Sequence, residues 1–178
     1  MKKLFAVLSL ASILLATTTA VTAQPKNEDK SKRPSPPAKV SETIGSGATV
    51  SINYSQPSVK GRTIGKDLEP KDGSVWRTGA NEATVFETSK AVTINGKALP
   101  AGKYSLFTIA GKEEWTIIFN KTWNQWGAYD YKQTDDVLRV KTKAAQTSKF
   151  AEKFMINLDK KGTVSMLWGN NDVSFLVK

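Results

Sequence analysis

Ala48-Thr49-Val50-Ser51-Ile52-Asn53-Tyr54 sets an apolar side chain at every second position and a small polar one between. A period of two puts the apolar set on one face and the polar set on the other, the pattern of a strand half buried against a core. The alternation returns at Phe154, Ile156 and Leu158, at Val164, Met166 and Trp168, and at Val173, Phe175 and Val177. Lys160-Lys161-Gly162 and Gly169-Asn170-Asn171-Asp172 separate these runs and read as turns, which predicts an antiparallel meander.

The middle of the chain reads the same way. Ala91 to Ile94 and Lys97 to Leu99 flank Asn95-Gly96, a pair that tolerates positive φ at both positions of a type I′ hairpin turn. Lys103 to Ile109 and Trp115 to Asn120 are joined by Ala110-Gly111-Lys112-Glu113 as a second hairpin, and Ala83 to Ser89 and Asp136 to Ala144 add two more runs. Roughly ten short strands at this spacing predict an all-β domain, an antiparallel β-sandwich or a jelly-roll-like barrel. The one stretch with room for a helical turn is Ala144 to Lys153.

Composition removes several chemistries. The 178 residues contain no Cys and no His, so there is no disulfide framework, thiol nucleophile, Ser-His-Asp triad or ordinary zinc or copper site, and no cofactor is expected. Met1-Lys2-Lys3, the apolar run Leu4 to Ala16 and the small residues Val21-Thr22-Ala23 form the pattern of a secretory signal peptide over residues 1–23. The alternative cut at Thr18-Thr19-Ala20 is not followed by Cys either, so no lipoprotein anchor is expected. The expected address is periplasmic or secreted, with no membrane anchor in the mature chain.

Removal of residues 1–23 deletes two lysines and no acids and leaves a net charge of +8, of which +3 lies in residues 24–39. With Pro25, Pro34, Pro36 and Pro37, that segment reads as a solvated Pro/Lys-rich linker, and the folded domain is expected to begin at Val40 and run to residue 178. The remaining +5 over 139 residues is a soluble charged surface rather than a nucleic-acid footprint.

Two segments break the alternation. Tyr54 to Glu82 carries Arg62 and Arg77, two of only four Arg in a chain with 22 Lys. A chain that uses Lys for general charge has a separate use for the planar five-donor fork of Arg. Arg62, Trp76, Arg77, Asn81 and Glu82 could line a shallow cavity for a carboxylate, a phosphate or sugar hydroxyls, or could satisfy polar groups within a long packed connection. The second segment, Trp123-Asn124-Gln125-Trp126-Gly127-Ala128-Tyr129-Asp130-Tyr131, interleaves aromatic rings with amides. Trp123, Trp126 and Tyr129 suit stacking against sugar C–H faces, and the alternative is that the rings turn inward and close one end of the domain.

Tyr54-Ser55-Gln56-Pro57, Val59-Lys60-Gly61-Arg62, Val75-Trp76-Arg77-Thr78-Gly79-Ala80-Asn81-Glu82-Ala83-Thr84 and Gly96-Lys97-Ala98-Leu99-Pro100-Ala101-Gly102-Lys103-Tyr104-Ser105-Leu106-Phe107 resemble the exported bacterial family catalogued as domain of unknown function 2911. The resemblance spans about Pro36 to Val177 and implies a β fold, with no catalytic residue to carry over. Three function classes follow. One is a module binding a glycan or small anion. Another is a carboxylate hydrolase of glycosidase type, with Glu82 as acid and Asp130, Asp136 or Glu69 as its partner. The third is a structural or partner-binding envelope protein that extends its basic linker toward an acidic surface.

Overall fold

The computed structural model describes residues 28–178, so the expected signal peptide and residues 24–27 of the linker lie outside the described residues. Ten strands follow: β1 (Pro37–Thr43), β2 (Thr49–Ser55), β3 (Val75–Trp76), β4 (Thr84–Thr88), β5 (Val92–Ile94), β6 (Lys97–Leu99), β7 (Gly102–Ile109), β8 (Glu114–Asn120), β9 (Asp136–Leu158) and β10 (Thr163–Leu176). The main sheet runs β1-β2-β4-β7-β8-β9-β10, with β3 against β7 and β5-β6 as a separate hairpin. All pairings between these strands are antiparallel. The domain is all-β, as expected, and helical geometry among the described residues is confined to the 3₁₀ turns Lys30–Lys32 and Gln133–Asp135.

Between the two expected architectures the sheet takes an intermediate form, curling on itself into a half-barrel. β9 turns the sheet. Its first half pairs with β8, and its second half pairs with β10. On the other edge of that second half, the chain leaving β2 adds a Ser58–Lys153 bridge, flanked by Val59 N donating to Glu152 O and Phe154 N donating to Pro57 O, both at 2.9 Å. Beside this seam the Tyr54 hydroxyl accepts from Ile156 N at 3.1 Å, and Gln56 Nε2 donates to Phe154 O at 3.2 Å.

The expected Asn95-Gly96 turn has φ of 47° and 83°, as type I′ requires. Two local expectations are corrected. Ala144 to Lys153 is strand, because Ala144, Ala145, Gln146 and Ala151 find register partners on β10 that outweigh a modest helix propensity. Gly169-Asn170-Asn171-Asp172 is not a turn but an irregular stretch inside β10, with register shifts on either side of Gly169. The expected three-strand meander is therefore one long, bulged hairpin.

The concave face buries the alternating apolar set as one core. Trp76 and Phe154 lie edge to face at 5.0 Å, and Tyr54, Trp115 and Trp168 extend the cluster. Phe119 joins Phe86, Tyr104 and Phe175 in the same geometry. On the convex face Ala83, Phe107 and Ile118 form a smaller core, covered by Ala128 and Tyr131 of the aromatic segment. Phe154 is 1% exposed and touches three other rings. Phe154→Ala should cost about 3–5 kcal/mol in urea denaturation, with a smaller loss for Phe154→Leu.

Candidate functional site

The connection from β2 to β4 is held by buried threonines and contains three non-glycine residues with positive φ, Lys60 at 48°, Thr78 at 53° and Asn81 at 59°. Thr78 Oγ1 donates to Thr108 Oγ1 at 3.1 Å, Thr84 Oγ1 donates to Thr78 O at 2.6 Å, and Trp76 Nε1 donates to Gly79 O at 3.0 Å. β3 therefore drives Trp76 into the core at 2% exposure. Arg77, the residue directly after β3, is half-buried.

The five residues expected around one cavity do not share one. Arg62 and Arg77 line a hollow of about 290 Å³, together with Glu69 and Lys71. An adjoining hollow of about 260 Å³ shares Glu69, Trp76 and Arg77 with the first and is bounded by Tyr129. Glu82 belongs to a third hollow, lined with Lys30 and Arg33. Arg62 spends its donors on its own turn, to Val59 O at 3.1 Å and Ser58 O at 2.8 Å. Asn81 ties two segments to the connection, with Nδ2 donating to Ser35 O at 2.9 Å and its carbonyl accepting from Gly127 N at 3.1 Å.

Residues 28–39 depart from the expected solvated linker. β1 begins at Pro37 rather than Val40, and Pro36 O accepts from Gln56 N at 2.9 Å. Arg33 is only 12% exposed, and its Nη1 donates to both Glu82 oxygens, at 3.0 and 2.9 Å. Its Nε donates to Glu28, and its guanidinium lies 5.7 Å from the Trp126 ring centroid. The segment has little apolar surface, so charge and cation–π attraction dock it where hydrophobic burial could not.

Burial opposes the charge on Glu82. The hydrogen bonds from Lys30, from its own backbone and from Arg33 outweigh that opposition and hold the carboxyl at about 2. A proton donor near neutrality needs its pKa raised, so a lowered one argues against Glu82 in the acid role of the hydrolase reading. Asp136, 5% exposed, accepts from Tyr131 Oη at 2.7 Å, Asn120 Nδ2 at 2.9 Å and Arg139 Nη1 at 3.3 Å. Burial first, and then this bond to Asp136, raise the Tyr131 phenol well above its usual range. Glu69 accepts from Lys71 N at 2.9 Å, and Asp130 is exposed.

The aromatic segment divides. Tyr131 turns inward, 5.1 Å from Phe107, whereas Trp123, Trp126 and Tyr129 are 42%, 52% and 80% exposed. The loop is fastened to the β2–β4 connection by a Glu82–Trp126 bridge and by Ala83 N donating to Gln125 O at 3.0 Å. Lys103 Nζ lies 5.1 Å from the Trp123 ring centroid. The two irregular segments thus form one surface. Arg33 and Lys103 were not anticipated there, although the scarcity of Arg that singles out Arg62 and Arg77 applies equally to Arg33.

No helix among the described residues is long and apolar enough to cross a membrane, and no group of three or more acidic residues is placed to hold a metal ion. A family model described as "Protein of unknown function (DUF2911)" matches residues 35–177. No curated protein and no solved structure matches the chain.

Two outcomes follow from the docked segment. A chain starting at Val40 should be less stable than one starting at Glu28 by about 1 kcal/mol or more in urea denaturation, since it loses the first residues of β1 and the Arg33 contacts. Glu82→Gln should cost about 1 kcal/mol near neutrality, a modest figure because the carboxylate is 38% exposed and screened. Folding lowers the Glu82 pKa from 4.5 to about 2, so its contribution is complete above pH 4.5 and fades as pH falls through about 2. The difference between parent and Glu82→Gln stability should close over that window in denaturation curves taken at successive pH values.

Proposed function

We propose, for a chain that belongs to the DUF2911 family, that it is a carbohydrate-binding module working outside the cytoplasm, with the aromatic loop as its platform. The observation that carries this reading is the outward setting of Trp123, Trp126 and Tyr129 on one loop, while Tyr131 alone turns into the small core. Three exposed rings gathered on one loop, on a domain whose other large aromatics are buried or half-buried apart from Phe150 at 53% exposure, call for a use, and sugar C–H faces stack on them without strong geometric demands. The loop's ties to residues 81–83 hold the rings in place before any ligand arrives, which lowers the ordering cost of binding. Exposed Asn124 stands among the rings and can serve sugar hydroxyls.

Lys103, whose Nζ lies 5.1 Å from the Trp123 ring centroid, agrees with an acidic glycan. The reading as an extended structural arm is weakened, because Arg33 and Lys30 are folded back onto Glu82. Export rests on the basic start, apolar run and small-residue site of residues 1–23.

Affinity electrophoresis in gels holding soluble neutral and acidic polysaccharides tests the reading. The protein should be retarded by at least one of them, and Trp126→Ala or Tyr129→Ala should weaken retention by up to about tenfold each, with the thermal midpoint unchanged for Tyr129→Ala and slightly lowered for Trp126→Ala, which also loses the Arg33 contact. Free migration in every gel, or retention indifferent to both substitutions, would overturn it.

A further inference from the structure

We infer that Arg77 and Tyr129 form a subsite for the carboxylate of an acidic sugar; this inference rests on the glycan-binding reading and names the class of glycan. The argument begins with the arginines. Among the described residues, three of the four donate to acceptors within the chain: Arg33 to Glu28 and Glu82, Arg62 to Ser58 O and Val59 O, and Arg139 to Asp136. Arg77 differs. Its buried Nε has no acceptor, and none of the ion pairs among the described residues includes it. A guanidinium held beside the core with its fork unspent is costly to keep and suited to an oxyanion arriving from outside.

The surroundings fit that use. Arg77 stands on the wall shared by the two adjoining hollows. At its side Gly127 has φ of 65°, and the place where a Cβ would stand is 2.8 Å from Arg77 Nη1 and 2.9 Å from Cε2 of Tyr129. The absent side chain is what allows guanidinium and ring to approach one another. Tyr129, 80% exposed, also bounds the smaller hollow. An aromatic face and a planar cation at one mouth match a sugar ring that carries a carboxylate.

Charge selects among anions. In the smaller hollow Glu69 and Arg77 are the two charged lining residues, and the Glu69 carboxylate disfavours a dianion while tolerating a monoanion paired to Arg77. A volume of about 260 Å³ lies below the range of about 300–1,000 Å³ usual for whole small-molecule pockets, so it suits one sugar unit of a longer chain.

Calorimetric titration with an oligogalacturonate, its fully methyl-esterified form and a sulfated dextran tests the inference on the parent chain and on Arg77→Ala, Arg77→Lys and Tyr129→Ala. The free acid should bind about tenfold or more tighter than the ester. Arg77→Ala should erase that preference while retaining ester binding. Arg77→Lys, which keeps the charge and serves if the alanine variant does not fold, should lose most of it. Tyr129→Ala, at an exposed position, should weaken both forms. A preference that persists in both Arg77 variants, sulfated dextran bound as well as the free acid, or no effect of Tyr129→Ala would overturn the inference and leave glycan binding standing. Failure of the parent to bind any of the three, together with free migration in every polysaccharide gel, would overturn the glycan reading and this one with it.

Discussion

The backbone seam between residues 57–59 and 152–154 is the constraint on which the rest of the molecule depends. A single antiparallel sheet with large rings on one face must cover that face, and here it does so by bending until the chain leaving β2 meets the far half of β9. The seam encloses Trp76, Phe154 and Trp168, and the β5-β6 hairpin adds Val92, Ile94 and Leu99 to the same core. It also sets where the long connection after β2 starts, and hence where Arg62, Glu69 and Arg77 can lie. Tyr54 reinforces it twice, with its ring against Phe154 and its hydroxyl on the backbone of Ile156.

Glu82 is a second organising point, of electrostatic origin. It follows directly on the strained turn at Asn81, precedes β4, and draws Lys30 and Arg33 back across the surface. Arg33 in turn lies over Trp126, whose backbone bridges Glu82, so three segments distant in sequence meet at one carboxylate. Each contact is partly exposed and individually modest. Their common effect is to fix one edge of the aromatic loop.

Period-two alternation made the strands legible, because it reports which side chains share a face. It does not report whether a strand continues. Gly169-Asn170-Asn171-Asp172 has the composition of a turn, and only its pairing to Gln146 and Ala145 shows that the chain runs on. The choice between sandwich and barrel was open for the same reason, since closure depends on a seam formed by residues with no alternation of their own. In the candidate site, the unusual residues were visible but not their pairing. Counting apolar residues is sound for judging what a segment can bury, yet it misses docking by charge, which is how residues 28–36 are held.

The division of labour at β3 connects fold to site. Trp76 closes β3 and is buried, and Arg77, the first residue after the strand, is half-buried. Trp76 is fixed by ring contacts to Trp115 and Phe154 and by its indole bond to Gly79 O, so the backbone that presents Arg77 is set by the interior rather than by anything Arg77 touches. That arrangement leaves the guanidinium oriented without spending its donors. A side chain that positioned itself through its own hydrogen bonds, as Arg62 does, would have fewer left for a ligand. Preorganisation by the core and an unspent fork beside it are thus two consequences of how Trp76 is anchored.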